Sequence, residues 1–475
     1  MASLNNEKNQ LFLGVFIHSI KLGELQYLHD AAVCVDKSGK IVAVEAGYGQ
    51  KRAEEVLYPK LGWDASDVEV TKAKKGQFFF PGFIDTHIHA PQYPNAGIFG
   101  KSTLLDWLNT YTFPMEASLS SLPKARRVYT RCIRQTLAHG TTTAVYYATI
   151  HVPSTNLLAD LCLSMGQRAF VGRVCMDHIG PSYYLDESPA QSLAATRETI
   201  DHIRDIDASF SLISPILTPR FAPACSREAM TALGKLHRET GIPIQTHISE
   251  NKDEIQMVRD MFPEAANYAD VYDSHGLLGK RTILAHAIHF SDAEADLVAT
   301  RGSKVSHCPT SNSALTSGEA RVRWLLEKGI TVGLGTDVSG GYNPSMLLAA
   351  RHAAIVSNHL AMPLGKWADV PAAERERAKL SVEEVLHLAT RGGAEVVGLS
   401  GKIGGFEVGM EWDAQLIGLG LVDETPAEDD MVDHGNVDIF GWEGWEDRVA
   451  KWVYNGDDRN VKKVWVRGRL VHERV

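Results

Sequence analysis

The chain has 475 residues, enough for one large α/β barrel of about 250–350 residues with an accessory domain of ~100. Hydrophobic residues make up 44% and charged residues 22%, a globular composition that excludes an intrinsically disordered chain. The net charge of −10 argues against nucleic acid as a partner, and no apolar run approaches the ~20 residues of a membrane span.

The opening Met1-Ala2-Ser3-Leu4-Asn5-Asn6 has no basic stretch leading into an apolar one, so no secretory signal is expected. Residues 11–17, 31–35 and 41–44 read as short strands, with the turn-prone Asp36-Lys37-Ser38-Gly39-Lys40 joining the last two as a hairpin. Apolar or β-branched runs follow at 78–88, 141–147, 169–175, 209–217, 242–247, 282–286, 303–308 and 330–335, separated by amphipathic stretches such as 226–239 and 252–262. Strands alternating with helices imply parallel strands covered by helices. Eight such units predict an α/β fold built on a (β/α)8 TIM-type barrel, with its chemistry at the C-terminal strand ends. Strand-like segments return at 413–417 and 461–471, and the acidic 423–433 stretch with Pro426 reads as a solvated loop. Neither end makes a domain alone. Residues 1–75 and 405–475 are therefore expected to build one small β-sandwich around a barrel spanning 76–404. Six cysteines at 34, 132, 162, 175, 225 and 308 form no Cys-x-x-Cys pair, pointing to reduced thiols and a cytoplasmic protein.

The expected strand ends carry the chemistry. The first run ends in His87-Ile88-His89, whose side chains leave a strand on the same face. The fourth ends in Thr218-Pro219-Arg220-Phe221, the fifth in His247-Ile248-Ser249-Glu250, the sixth in His286, the seventh in His307-Cys308 and the eighth in Asp337. Surface histidines scattered at random would not terminate strands this way. Three imidazoles and one carboxylate form a donor set suited to zinc, with a position left for water. Zinc lowers the pKa of such a water to ~7, and Glu250, three residues beyond His247, stands where a proton shuttle is needed.

Blander readings cover other residues. His139 before Gly140 ends a helix near its dipole. His307 and Cys308 point to opposite strand faces and do not ligate together. Gly333-x-Gly335 lacks the rest of a dinucleotide fingerprint. His237-Arg238-Glu239 matches half of the small nucleobase-deaminase signature, but it lies in a helix-like stretch and no Pro-Cys-x-x-Cys follows.

The strings His87-Ile88-His89-Ala90-Pro91-Gln92-Tyr93, Tyr111-Thr112-Phe113-Pro114, His139-Gly140-Thr141-Thr142-Thr143, Thr218-Pro219-Arg220-Phe221, His247-Ile248-Ser249-Glu250, Gly333-Leu334-Gly335-Thr336-Asp337 and Gly456-Asp457-Asp458-Arg459-Asn460 together resemble the guanine deaminase family of the amidohydrolase superfamily, from about residue 10 to about residue 470. The resemblance implies hydrolytic deamination of guanine and one Zn²⁺ per chain held by His87, His89, His247 and Asp337. It further implies Glu250 as proton shuttle, His286 and Asp337 as catalytic neighbours, and purine contacts from Gln92, Arg220 and Phe221 beside His247 and Asp337. A homodimer is implied by resemblance alone. Binuclear relatives carry a lysine at the fourth strand end; Thr218, Arg220 and Phe221 stand here instead, so one metal is expected. Thr310, where asparagine is usual, and Pro94-Asn95 depart from the family pattern and bear on the pocket rim. An arginine donor matches the O6 acceptor of guanine and is left unpaired by the amino group of adenine. The alternatives are deamination of another purine, pterin or triazine ring, and a non-catalytic scaffold.

Overall fold

A computed structural model describes residues 6–422 and 436–474; the first five residues and the acidic 423–433 stretch lie outside the described residues. Phe83–His89, Thr141–Tyr147, Arg168–Gly172 and Ile213–Pro215 pair in chain order as one parallel sheet. Ile244–Ile248, Thr282–His286, Lys304–His307 and Val332–Leu334 form a second. Backbone hydrogen bonds join the halves on one side, from Leu217 N to Pro243 O (2.8 Å) and from Gln245 N to Leu217 O (2.9 Å). On the other side Asp337 N donates to His87 O (2.8 Å) and His89 N to Val338 O (2.9 Å). The eight strands thus close into a ring, the geometry that gathers eight strand ends at one mouth.

The covering helices start where the sequence supplies caps. Ser226 Oγ accepts from Ala229 N at 3.1 Å to open Arg227–Thr240, and Gly241, with φ of 69°, ends it. That helix buries Met230, Leu233 and Leu236 against the barrel and exposes its charged face. It contains His237 and Glu239, so the half-signature there is a segment of amphipathic helix. His139 is the C-cap residue of Leu122–Ala138, as its position before a glycine implied.

The apolar run at 78–88 is two strands. It breaks at Gly82, whose N donates to Asp413 O at 2.9 Å and where a Cβ would lie 2.2 Å from the Thr142 side chain. Gln77–Pro81, before the break, joins an eight-stranded sheet built from both chain ends. Its order runs Arg469–Glu473, Val461–Val466, Ala414–Gly418, Gln77–Pro81, Asn9–Lys21, Glu24–Val35, Ile41–Glu45, and Val68–Lys72 also pairs with Asn9–Lys21. Phe12 and Trp465 sit on strands three places apart, about 14 Å in a flat sheet, yet their ring centroids are 5.3 Å apart. The sheet therefore curls over a core of Phe12, Phe79, Trp412 and Trp465 in the two-layered manner of a sandwich. Buried Arg168, on a barrel strand, reaches Glu411 Oε2 at 2.5 Å and Asp413 Oδ2 at 3.1 Å, just before the returning strand Ala414–Gly418.

Candidate active site

The barrel mouth brings together the residues singled out from sequence. His87 Nε2 and His89 Nε2 lie 3.2 Å apart, and His89 Nε2 is 3.2 Å from His247 Nε2. Asp337 Oδ1 stands 3.2 Å from His87 Nε2 and 3.3 Å from His89 Nε2. Burial drives the three imidazoles toward their neutral forms, His89 down to about 4 and His247 well below its ordinary value. Burial would raise the Asp337 carboxyl, but the imidazoles around it, His87 first, then His89 and His286, outweigh that and hold it well below the usual carboxylate range. His247 Nδ1–H donates to Arg220 O at 2.6 Å, which leaves its Nε2 with a bare lone pair. Nitrogen lone pairs and a carboxylate oxygen converging at such spacing repel one another unless a cation lies between them. The cage therefore has the chemistry of a metal site.

Next to the cage, Glu250 Oε2 is 3.4 Å from His286 Nε2, and Ser317 Oγ donates to Glu250 Oε1 at 3.4 Å. Burial first, then the charges of Asp337 and Glu254, push the Glu250 carboxyl well above the usual carboxylate range. The backbone holds it in place: Glu250 N and Asn251 N both donate to Glu254 Oε2, at 2.9 and 3.1 Å. Glu254 belongs to the capping box that opens Lys252–Met261, so the dipole-facing acid of this helix is Glu254 rather than Glu250. His286 Nδ1 is paired with Asn312 Oδ1 at 2.9 Å, which directs Nε2 toward Glu250 and toward Asp337 Oδ2, 3.8 Å away. Ser249, His286 and Asp337 have φ of 49°, 76° and 48°, left-handed backbone that non-glycine residues adopt at a cost and that concentrates at functional sites.

A cleft opens onto the cage, lined by His89, Gln92, Arg220, Phe221, His247, Glu250 and Asp337 together with Leu104, Trp107, Leu108 and Leu315. All three expected ring contacts, Gln92, Arg220 and Phe221, thus face it. The Arg220 guanidinium also lies 5.0 Å over the Phe113 ring.

Several site residues escaped sequence reasoning. Glu116, fully buried, pairs end-on with Arg220 at 2.6 and 3.1 Å. Burial opposes its ionisation, yet Arg220 prevails and lowers its pKa. Its only signal was a carboxylate two residues beyond Phe113-Pro114. The Tyr147 ring packs 4.5–4.9 Å from His87, His89 and His247 and reads in sequence as an ordinary strand residue. Leu104, Trp107 and Leu108 belong to the excursion between the first two barrel strands. His307 is buried and held down to about 3 by burial. Its strand neighbour Cys308 is the one that approaches the cage, with donor atoms of His87, His286 and Cys308 all within 4.8 Å of one another. Thr310 is buried on the helix Pro309–Ala314.

The profile of the Amidohydrolase family matches residues 78–471. A "Probable guanine deaminase" of Schizosaccharomyces pombe is 48% identical over 97% of this chain and 83% of its own length. The "Guanine deaminase" of Homo sapiens is 40% identical over 97% of this chain and 96% of its own. The crystal structure of guanine deaminase from C. acetobutylicum with bound guanine in the active site superposes with a TM-score of 0.84 at 32% identity, covering 98% of this chain and 100% of that one. The family match embraces every barrel strand and the cage at their ends, and the chain belongs to the amidohydrolase family.

Proposed function

We propose that the chain hydrolyses the exocyclic amine of guanine, giving xanthine and ammonia, with one zinc ion held by His87, His89, His247 and Asp337. The observation that carries this reading is one cleft that the His/Asp cage, Glu250 and the donors Arg220 and Gln92 all line. The guanine bound in the C. acetobutylicum relative supports the choice of base. Zinc fits the donor set of the cage: imidazole nitrogens and a carboxylate oxygen are its usual ligands, and here neighbouring ones lie 3.2–3.3 Å apart.

When bound, zinc supplies a water whose pKa falls to ~7. The chain does the rest. Arg220 and Gln92 donate to the 6-oxo edge and set the ring's orientation, with Phe221 against its face. Asp337 and His286 are the acceptors positioned to take a proton from water. Glu250 is the shuttle: it passes one proton of the water to a ring nitrogen as the C2 centre becomes tetrahedral, and the second to the departing amine. Residues 76–404 carry this chemistry, and the two chain ends supply the sheet that braces it, with Gln77–Pro81 at the join. Six free, buried cysteines and the lack of any membrane-spanning helix among the described residues are consistent with a cytoplasmic protein; the homodimer rests on family resemblance, and light scattering measures it.

The test is ammonia release from guanine, adenine and a triazine, before and after chelation, with metal analysis of the purified chain. Fastest release from guanine, loss on chelation and recovery with Zn²⁺ are expected. Faster turnover of another ring reassigns the substrate, and a chain that neither holds nor responds to metal is a scaffold.

A further inference from the structure

The wall that faces the substrate's 6-position is not set by the residues that line it. Arg220 gives one N–H from each terminal nitrogen to Glu116, Nη1 at 2.6 Å and Nη2 at 3.1 Å. Gln92 Nε2 gives another to Glu116 Oε1 at 2.7 Å, and Ser339 N donates to Gln92 Oε1 at 3.3 Å. Glu116, 0% exposed, stands behind both on the helix Phe113–Ser118. A carboxylate only accepts, so it admits one orientation of the Gln92 amide, nitrogen toward itself. Its end-on pairing also fixes the plane of the guanidinium and leaves Arg220 Nε–H and one N–H on each terminal nitrogen uncommitted.

We propose that Glu116 is a specificity-determining positioning residue: it never touches the base, but it locks Arg220 and Gln92 into a wall of N–H donors that accepts an oxo group at the purine 6-position and rejects an amino group. The inference deepens the guanine reading and rests on it. A 6-amino group would place donor against donor inside a buried cleft, where neither can find water. Glutamine at 116 would keep the volume but offer a single acceptor oxygen and an amide nitrogen facing donors. The Gln92 amide is then free to turn its oxygen into the cleft, and the wall acquires an acceptor.

The readout is equilibrium binding of hypoxanthine, which has the 6-oxo group but no 2-amine to lose, against adenine, measured by calorimetry on the metal-loaded chain. Wild type should favour hypoxanthine. Glu116→Gln should shrink that preference at least tenfold and raise KM for guanine, with metal content unchanged, and Glu116→Asp should recover part of the preference. Because Glu116→Gln leaves Arg220 buried without its partner, the double variant E116Q/R220Q supplies a second arm free of unpaired charge, and it too should lose the preference. A preference within twofold of wild type in either variant, or its absence from wild type, overturns the proposal. A wild-type chain that favours hypoxanthine yet releases no ammonia from guanine sinks the deaminase reading and leaves this inference standing.

Discussion

Replacing Glu250 with glutamine isolates proton transfer from everything else the site does. The amide has the length of the acid it replaces, Ser317 Oγ can still donate to its oxygen (3.4 Å now), and Glu254 still holds the Glu250 backbone at 2.9 Å. Glutamine also lacks the negative charge that burial and the neighbouring Asp337 disfavour at this position, so stability should change by less than ~1 kcal/mol. What disappears is a donor able to release its proton. General acid–base catalysis contributes about 10²–10⁴-fold, or about 2.7–5.5 kcal/mol of barrier at 1.36 kcal/mol per decade. Steady-state ammonia release should therefore fall by that factor in kcat while guanine KM moves little, with metal content and melting temperature read on the same sample. Turnover within threefold of wild type in a fully metal-loaded variant refutes the shuttle assignment. Loss of metal along with activity refutes the separate claim that Glu250 stands outside the cage.

Arg168→Met leaves Asp413 buried without its cation and Glu411 with Lys402 and Arg467 at 3.6 Å, and should destabilise the chain by about 3–5 kcal/mol in urea melts, because Arg168 ties a barrel strand to the returning end sheet. Gly82→Ala puts a methyl 2.2 Å from the Thr142 side chain and should cost about 1–3 kcal/mol; a melting temperature equal to wild type argues against rigid packing there. Burial holds His387 down to about 4 and His307 down to about 3, against about 6.5 in the unfolded chain. A folded pKa below the unfolded one contributes stability that is complete above pH ~6.5 and is lost as pH falls toward the folded value, by up to about 1.4 kcal/mol per pH unit for each histidine. His387→Gln should flatten that acid limb between pH 6.5 and 4, and an unchanged slope contradicts the burial account.

The cage was legible because its members obey local rules. His87 and His89 share a strand face by period two, and His247 and Asp337 follow apolar strands whose alternation with helices predicts a ring. Glu250 was within reach of the same logic, three residues past a ligand. Glu116 was not, since its partners Gln92 and Arg220 are 24 and 104 residues away in the chain and no periodicity links them. Asn312, which orients His286 from 26 residues away, has no local signal either. The break at Gly82 was missed by reading 78–88 as one strand although Pro81-Gly82 is a turn-prone pair; Asp413 and Thr142, brought from far along the chain, fix where it turns.

The ring closes through the very residues that form the cage, Asp337 N bonding His87 O and His89 N bonding Val338 O. Beside this seam, Thr336 reaches Asp85 across 251 residues of chain. At synthesis rates of about 5–20 residues per second, that separation corresponds to tens of seconds. For the first part of that interval, until His247 follows 158 residues after His89, a nascent chain carries His87 and His89 without the third nitrogen. His247 arrives with the fifth barrel strand and Asp337 only after the eighth, so the order of synthesis delivers the nitrogens first and the carboxylate that completes the cage last.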